Sequence, residues 1–293
     1  MVRIQKSFKE QTEHGILYLV ATPIGNLEDM TFRAIRTLKE VQLIAAEDTR
    51  QTRKLLTHFE ISTRLVSYHE HNKQASGSEL IRLLIEGQSI ALVSDAGLPA
   101  VSDPGADLVK DAVEQGIKVV PIPGANAALS ALIISGLPTD QFMFTGFPPR
   151  DKKPLAEWLT RLQRQEGTLM MYESPHRLKK TLDAMLEHWG DRRIAMVREL
   201  TKRHEEAARG TISECIAFLE ENPPLGEYCL IIEGAAAGTG DAGDNGETWW
   251  TSLELEQHVT HYENEGLDRK EAIKKAAQDR GLPKREVYNA VNR

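Results

Sequence analysis

Apolar and polar positions follow two different spacings along the first 135 residues. Short apolar runs alternate with stretches such as "FRAIRTLKEV", "SELIRLLIEG" and "ADLVKDAVEQG", in which apolar positions recur every three or four residues. The short runs predict buried strands and the longer spacing predicts amphipathic helices. The predicted strands cover residues 17–21, 41–46, 64–67, 89–93 and 118–121. Their alternation with helices predicts an α/β fold with a parallel or mostly parallel sheet covered by helices.

A second set of strands and helices follows residue 136. The segments "TLMMYES", "RRIAMVREL" and "EYCLIIEG" are strand-like, and "PHRLKKTLDAMLEHWG" and "TISECIAFLEEN" have helical periodicity. The segment 135–153, rich in proline, glycine and aromatic residues, predicts a crossover between two α/β domains. We place these domains at 16–136 and 137–233, after an N-terminal tail, 1–15. Residues 234–248 contain five glycines and no large apolar side chain, which predicts a flexible linker.

Residues 249–293 are expected to form a small helical module. Two helices are predicted within it, interrupted at Gly281-Leu282-Pro283. Residues 267–293 carry eight Lys/Arg against four Asp/Glu, although the whole chain has a net charge of −7. A basic, helix-turn-helix-like module favours contact with nucleic-acid phosphates. The alternative is a solvated helical hairpin that packs on the body or on a second subunit. The candidate RNA contacts here are Lys274, Lys275, Lys284 and Arg285.

Length and composition exclude several other classes. A chain of 293 residues with 41% hydrophobic residues is long enough for two cores and an extension. No apolar run approaches the roughly 18 residues that span a bilayer, and the polar N-terminus is neither a signal peptide nor an anchor. Cys215 and Cys229, the only cysteines, are expected to be buried thiols. We expect a soluble, cytoplasmic protein with no membrane partner.

Three unusual turns follow predicted strands of the first domain. "TPIGN" follows the first strand, "SDAGLPAVSDPG" the fourth and "PIPGANAALS" the fifth. Open parallel sheets bind ligands beyond the carboxyl ends of their strands, and proline and glycine present rigid, accessible backbone groups. The turns therefore predict a small-molecule site.

Motifs for other chemistries are missing. The first turn contains only Gly25 where a dinucleotide fold would have G-x-G-x-x-G, and neither a P-loop nor G-x-S-x-G occurs. His69 and His71 lie two residues apart, but without a third ligand at a suitable spacing a polar loop is favoured over a metal site. No metal is expected.

The chain resembles the tetrapyrrole-methylase-like family of S-adenosylmethionine-dependent methyltransferases. The resemblance rests on "LYLVATPIGNLEDMTFRAIRTLKEVQLIAAEDTR", "LVSDAGLPAVSDPG", "PIPGANAALSALIISGLP", "YESPHRL", "RELTKRHEE" and the tail "KEAIKKAAQDRGLPKREVYNAV". "ATPIGN" is similar to the branch of the family that methylates ribosomal RNA, because tetrapyrrole-modifying relatives have more glycine there.

The resemblance implies two α/β domains with S-adenosylmethionine in the cleft between them. It also implies methyl transfer to the ribose 2′-hydroxyl of a decoding-centre cytidine in 16S ribosomal RNA, within the 30S subunit, by a homodimer. The cofactor site that it implies consists of Pro23, Asp95, Ala96, Gly97, Ser102, Asp103, Pro123, Gly124 and Ser135.

A ribose hydroxyl is a poor nucleophile near neutral pH, so a nearby base or a positive charge would assist the transfer. Polar residues cluster at the predicted strand ends, where carboxylates also often cap helices. The catalytic candidates are Glu47, Asp48, Glu173, His176, Glu199 and Lys202. The candidate phosphate contacts of the body are Arg50, Arg53, Arg177, Lys202 and Arg203.

Two other functions remain open from the sequence. One is methylation of a tetrapyrrole or another small molecule by the same fold, against which the basic tail argues. The other is a non-catalytic nucleic-acid-binding protein whose α/β body senses a ligand.

Overall fold

The computed structural model describes residues 4–6, 13–236, 250, 253–264 and 266–291. The chain forms two compact units, Met1–Ala235 and Ala236–Arg293. The strands among the described residues are β1 Ile16–Val20, β2 Leu43–Ala46, β3 Leu65–Ser67, β4 Ile90–Val93, β5 Lys118–Ile122, β6 Phe142–Phe144, β7 Thr168–Glu173, β8 Arg193–Arg198, β9 Glu206–Thr211 and β10 Tyr228–Ile232. The α-helices are α1 Phe32–Glu40, α2 Thr49–His58, α3 Lys73–Ile85, α4 Gly105–Glu114, α5 Ala127–Ser135, α6 Lys152–Leu162, α7 Pro175–Trp189, α8 Ile212–Glu221, α9 Leu255–Asn264, α10 Arg269–Asp279 and α11 Lys284–Val291.

The first sheet is fully parallel, as the alternating pattern predicted. Its strand order is β3-β2-β4-β1-β5, and every pairing is parallel. All residues of β2 and β4 are buried, because helices cover both faces of the sheet. Leu38 of α1 and Leu56 of α2 pack in one core, and Leu84 of α3 and Leu108 of α4 pack in the other.

The second sheet is mixed, with the order β6-β7-β10-β8-β9. Strands β7, β8 and β10 confirm the predicted apolar runs, whereas β6 and β9 were not predicted. Both are edge strands: β6 has three residues and lies in the Pro/Gly-rich crossover, and β9 has the sequence EAARGT without apolar alternation. Strand β10 is antiparallel to β7 and β8, so that Tyr228 pairs with both Glu173 and Arg198. The ends of β7 and β8 and the start of β10 therefore share one edge.

Helix α5 connects the two sheets. Its sequence, AALSALIIS, begins within the predicted turn at 121–130, whose residues 127–130 are helical, and it is mostly apolar. Ala131 and Leu132 pack in a core with Met170, Ala195 and Ile231 of the second sheet. The helix belongs to the predicted segment 16–136 by sequence and to the second sheet by packing, and both sheets fall in one compact unit. The boundary at residue 136 stays a prediction.

The second unit contains three described helices, α9, α10 and α11. The two predicted helices on either side of Gly281 are confirmed, and α9 precedes them. Val259, Ile273, Ala276 and Val287 form their shared core. Residues 249–293 carry eight Lys/Arg and eight Asp/Glu, so positive charge is confined to the second half of the module.

Parts of the predicted tail and linker lie outside the described residues. These parts are residues 1–3 and 7–12 of the tail and 237–248 of the linker. Among the described residues, no helix is long and apolar enough to cross a membrane.

Candidate active site

The loops that follow β1, β2 and β4 meet at the carboxyl edge of the first sheet. Thr22 N–H donates to Gly97 O at 2.9 Å, and Gly97 N–H donates to Thr22 O at 3.0 Å. Asp48 N–H, after β2, donates to Asp95 Oδ1 at 2.9 Å. These bonds fix three chain segments relative to one another, at the edge where the sequence predicts a ligand site.

Two adjoining cavities open at this edge. Cavity 1 has a volume of about 470 Å³ and lies between the loop after β1, the loop after β4 and helix α2. Cavity 2 has a volume of about 330 Å³ and reaches from the same loops to the edge of the second sheet. The two cavities share Ile24, Ala96, Lys202 and Glu227. They therefore form one continuous site within the first compact unit.

Cavity 2 is mostly apolar. Leu98 and Val101 come from the loop after β4, and Val197 and Leu200 come from the end of β8. The shared edge of β7, β8 and β10 explains why residues distant in sequence meet here. The remaining lining residues are Gly97, Asn126, Ala127, Phe147, Tyr172, Glu173, Ser174, Pro175, Glu199, Tyr228 and Cys229.

Lys202 lies at the junction of the cavities, between two carboxylates. Its Nζ is 3.0 Å from Glu199 Oε1 and 3.0 Å from Glu227 Oε2. Burial lowers the pKa of Lys202, but the two carboxylates outweigh burial and leave the pKa raised. Burial raises the pKa of Glu199, but the Glu227 N–H and Lys202 outweigh it and leave that pKa lowered. Lys202 is therefore positively charged and Glu199 negatively charged near neutral pH.

Strained backbone is concentrated around this site. Ala100 (φ 67°) and Ser102 (φ 62°) lie in the loop after β4, and Glu199 (φ 48°) and Thr201 (φ 65°) lie in the segment after β8. Each such residue costs on the order of 1–3 kcal/mol and persists only where its surroundings hold it. The carboxylate of Asp103 holds the first loop by accepting hydrogen bonds from Ala100 N–H and from the start of α4. Strain of this kind is typical of binding and catalytic sites.

Four of the nine predicted cofactor residues line the cavities. Pro23 and Asp95 line cavity 1, Gly97 lines cavity 2, and Ala96 lines both. Gly97 has a φ of 77° and gives cavity 2 a wall without a side chain.

The other five predicted cofactor residues, Ser102, Asp103, Pro123, Gly124 and Ser135, do not line either cavity. Asp103 braces the loop after β4, and burial raises its pKa. Gly124 lies against Ala21, whose Cβ would be 2.8 Å from a Cβ at position 124. Ser135 is buried and ends α5, where its Oγ donates to Leu132 O and accepts from Leu137 N–H.

Three of the six catalytic candidates, Glu173, Glu199 and Lys202, line the site. Glu173 is buried, and both of its carboxylate oxygens are engaged within the protein. Its Oε1 accepts from Ser174 N–H at 2.7 Å, and its Oε2 accepts from Thr181 Oγ1 at 2.7 Å and lies 3.4 Å from Arg177 Nη2. These contacts tie the end of β7 to α7.

The other three candidates, Glu47, Asp48 and His176, lie outside both cavities. Asp48 caps α2 and pairs with Arg50, whose hydrogen bonds lower the pKa of Asp48 to about 2. Burial, then Asp95 and Asp103, raise the pKa of Glu47. His176 is exposed on the first turn of α7.

The predicted RNA contacts of the body differ in exposure. Arg50, Arg53 and Arg203 are exposed. Arg177 Nη2 instead donates to Pro148 O and Pro149 O and holds the crossover segment.

In the second unit, Lys274, Lys275, Lys284 and Arg285 are exposed. The Nζ of Lys275 lies 4.5 Å from the centre of the Tyr262 ring. The positive charge of these side chains suits an anionic partner.

Several lining residues were not predicted. Glu227 follows a Pro-rich turn, and no spacing in the sequence connects it to Lys202. Phe147 lies in the Pro/Gly-rich crossover and Tyr172 near the end of β7. Their aromatic side chains at these places were the only indication in the sequence that they line a site. Gln51 and Lys54 are polar residues of α2. Surface helices commonly carry such residues, so nothing in the sequence assigned these two to a site. Among the described residues, no group of three or more His, Cys, Asp or Glu side chains could hold a metal ion.

Comparison with known proteins identifies the family. Residues 16–216 match the family described as Tetrapyrrole (Corrin/Porphyrin) Methylases. The chain is 57% identical over 288 residues to the ribosomal RNA small subunit methyltransferase I of Halalkalibacterium halodurans, covering 98% of each chain. It is also 57% identical over 292 residues to the protein of that name from Bacillus subtilis, covering 100% of this chain and 99% of the relative. The chain belongs to the ribosomal RNA small subunit methyltransferase I branch of the tetrapyrrole methylases.

Solved structures show the same fold. The uroporphyrin-III-C-methyltransferase of Thermus thermophilus superposes with a TM-score of 0.54 at 22% identity, covering 75% of this chain and 94% of that one. A diphthine synthase superposes with a TM-score of 0.57 at 12% identity, covering 75% and 90%. The expected fold of two α/β sheets with a cleft and C-terminal helices is confirmed.

Members of this branch are methyltransferases, and S-adenosylmethionine is the cofactor. The residues present fit it. The apolar walls of cavity 2 suit an adenosine, and the tied loops after β1 and β4 offer polar backbone groups near Gly97. A volume of about 330 Å³ is in the range of small-molecule sites.

Proposed function

We propose that the protein methylates the ribose 2′-hydroxyl of a cytidine in the decoding centre of 16S ribosomal RNA, within the 30S subunit. The observation that carries the proposal is 57% identity, over nearly the whole chain, to relatives named for ribosomal RNA of the small subunit. The exposed basic residues of α2 and of the C-terminal module support an RNA partner, since phosphate attraction supplies much of the affinity for nucleic acids.

In this proposal, the loops at the carboxyl edge of the first sheet bind the cofactor. When bound, S-adenosylmethionine supplies a methyl group on a positively charged sulfur. We assign Ala96 and Gly97, which line cavity 2, to direct contact with the cofactor, and Pro23 and Asp95, which line cavity 1, to holding the loops beside it. The remaining predicted residues, Ser102, Asp103, Pro123, Gly124 and Ser135, are assigned to holding the loops and helix around it.

Lys202 is the residue that we assign to the ribose oxygen. Its charged Nζ is fixed at the junction of the cavities, and a fixed positive charge stabilises negative charge that develops on the attacking oxygen. Glu199 has a lowered pKa and is therefore a weak proton acceptor, which argues against a role as general base. We assign it instead to positioning Lys202, with which it forms an ion pair. Glu227, which is more exposed, completes the clamp on Lys202.

The other catalytic candidates are assigned to structural roles. The oxygens of Glu173 are engaged by Ser174, Thr181 and Arg177, and Glu47, Asp48 and His176 lie outside the cavities. None of these four is a free proton acceptor for the ribose hydroxyl beside Lys202, so the hydroxyl proton passes to solvent water, to which the cavities are open.

The RNA contacts that we propose are on two surfaces. Those of the body are Arg50, Arg53 and Arg203, and those of the module are Lys274, Lys275, Lys284 and Arg285. Removing residues 247–293 should therefore weaken methylation of 30S subunits while S-adenosylmethionine binding is kept. Unchanged methylation would place the module outside the RNA interface.

The decisive experiment is methylation of 30S subunits that lack ribose methylation, followed by mass spectrometry of the 16S RNA nucleosides. We expect one 2′-O-methylcytidine per subunit. Lys202→Met should lower kcat by about 10²–10³-fold and keep the dissociation constant for S-adenosylmethionine. The control is Lys179→Met, which changes an exposed lysine on α7 that forms an ion pair with Asp183. Methylation of a tetrapyrrole instead of RNA, or of no substrate, would refute the proposal.

We also propose that the protein is a cytoplasmic homodimer. Leu129 and Ile133 lie four residues apart on α5 and are 45% and 76% exposed, which suits burial against a second copy. Analytical ultracentrifugation at micromolar concentration measures the state directly, and a single monomer species would contradict the proposal.

A further inference from the structure

Cavity 1 is lined by both apolar and polar side chains. Leu27, in a 3-10 turn after the first loop, is 41% exposed, and Leu55 of α2 is half-buried; both line the cavity. Gln51 and Lys54 line it from the same helix. Residues spaced by three and four positions share one face of a helix, so that Gln51, Lys54 and Leu55 present a joint surface. A flat ring with a polar edge suits such a site.

Helix α2 is firmly positioned at its start. Asp48 accepts a hydrogen bond from Arg50 N–H at 2.8 Å, and its own N–H donates to Asp95 Oδ1. Gln51 stands one turn after this cap. The contacts of Asp48 with Arg50 and Asp95 therefore hold the start of α2, and with it Gln51, close to the loop after β4.

The charge of α2 matches a nucleic-acid strand. Its sequence, TRQTRKLLTH, contains Arg50, Arg53 and Lys54 and no acidic residue, and all three side chains are exposed. Lys202 lines the same cavity. Cavity 1 is thus lined both by a helix that attracts phosphates and by the lysine assigned to the ribose oxygen.

We propose that cavity 1 holds the nucleobase of the target nucleotide and that Gln51 selects cytosine. The inference rests on the proposed function, since it needs a ribose beside Lys202. Leu27 and Leu55 contact the faces of the ring. Bases that proteins recognise in single-stranded RNA are hydrogen-bonded on their Watson–Crick edge, and we assign Gln51, which lines the cavity, to that edge.

The hydrogen bond between Lys54 and Gln51 determines which group faces the base. Lys54 Nζ donates to Gln51 Oε1 at 3.2 Å, which leaves Gln51 Nε2 to donate. Cytosine has an acceptor at N3, whereas uracil has an N–H donor there. The amide N–H of Gln51 therefore pairs with N3 of cytosine and opposes the N3–H of uracil.

The test compares cytidine and uridine at the methylated position, in 30S subunits reconstituted with 16S RNA that carries either base. Gln51→Glu replaces the donor by an acceptor that pairs with the N3–H of uracil. We expect the ratio of kcat/KM for cytidine over uridine to fall by about 10-fold or more, since one good contact to a base edge discriminates on that scale. Gln51→Ala should lower the ratio less, because it removes the contact without introducing the opposite one.

Two controls separate the site from general effects of charge. Gln74→Glu makes the same change on α3, on an exposed residue that lines neither cavity, and should keep the wild-type ratio. Calorimetry with S-adenosylmethionine should give the same dissociation constant for wild type and Gln51→Glu, within about 2-fold.

The outcomes distinguish the inference from the function on which it rests. An unchanged base ratio in Gln51→Glu, with wild-type methylation of 16S RNA, would overturn the inference and leave the function standing. A loss of cofactor affinity in Gln51→Glu would also overturn it, because cavity 1 would then hold the cofactor. Wild-type protein that methylates no ribosomal RNA would refute both.

Discussion

Gly25 should be essential because Lys202 packs directly against it. A Cβ at position 25 would lie 2.4 Å from Lys202 Cγ, 3.0 Å from Thr201 Oγ1 and 3.2 Å from Leu200 O. Ordinary carbon–carbon contacts are about 3.5–4.0 Å, so the two segments must separate by about 1 Å in Gly25→Ala. Rotation about the Cα–Cβ bond of Lys202 would move Cγ away, but it would also take Nζ from Glu199 and Glu227, so that either response displaces the charge of Lys202.

The size of the effect follows from this displacement. Overpacking of this kind costs about 1–3 kcal/mol, and for a unit of this length 2 kcal/mol lowers the melting temperature by roughly 4–8 °C. A misplacement of about 1 Å at a catalytic group lowers the rate by about 10²-fold. We therefore expect Gly25→Ala to fold, to melt several degrees lower and to lose about 10²-fold in kcat on 30S subunits.

Two further variants test the cause. Gly77→Ala adds the same methyl group in α3, where the nearest atom, Tyr68 Cε2, would be 3.6 Å away; it should be neutral or stabilise the helix by about 0.5–1 kcal/mol. Gly25→Ala combined with Lys202→Ala removes the clashing side chain, so that the melting temperature should recover and the activity should not. Activity of Gly25→Ala within about 3-fold of wild type would refute this reasoning.

Three other predictions concern buried polar groups. Glu173→Ala should lower the free energy of unfolding in urea by about 3 kcal/mol, because Ser174 N–H, Thr181 Oγ1 and Arg177 all lose their acceptor. Glu173→Gln keeps an acceptor oxygen and should lose only about 1 kcal/mol; equal losses would contradict the assigned pairing. Burial, and then Arg280, lower the pKa of His258 in the folded protein. In the unfolded chain the histidine keeps its ordinary pKa of about 6.5, so that below this pH the unfolded chain binds more protons than the folded protein does. The C-terminal unit is therefore most stable above that pH and loses stability as the pH falls below it. Hydrogen exchange of α9 should be less protected at pH 5 than at pH 7 in the wild type but not in His258→Gln. Burial raises the pKa of Cys215 to about 11 and that of Cys229 to about 12, so both thiols should resist iodoacetamide at pH 8 until the protein unfolds, and rapid labelling of native protein would contradict their burial.

The first sheet was predictable because each strand carries its own local signal. Parallel strands buried on both faces are continuous apolar runs, and β2 and β4 are buried at every position. The edge strands β6 and β9 lack that signal, since one side of an edge strand faces solvent and its composition is not constrained by burial. The mixed order of the second sheet was not predictable from local pattern for the same reason: strand direction depends on which partners pair, and not on the residues of one strand.

Helix α5 illustrates a different limit. Its mostly apolar sequence gives no periodicity, so the sequence predicted a turn and then apolar residues, without saying which sheet they would contact. Packing against β7, β8 and β10 is a tertiary result. The local sequence pattern therefore did not predict that α5 packs against the second sheet.

The sequence by itself determined the family, the parallel first sheet and the edge at which the ligand site lies, because motifs, apolar runs and Pro/Gly turns are local features. It also supplied Lys202 and Glu199 as candidates. Only the tertiary structure joined them to Glu227, excluded Glu47, Asp48 and His176 from the cavities, and placed Gln51 and Lys202 in the lining of one cavity. Those relations depend on strand order and on the edge shared by β7, β8 and β10, and contacts between residues so far apart in the chain leave no spacing that a single sequence displays.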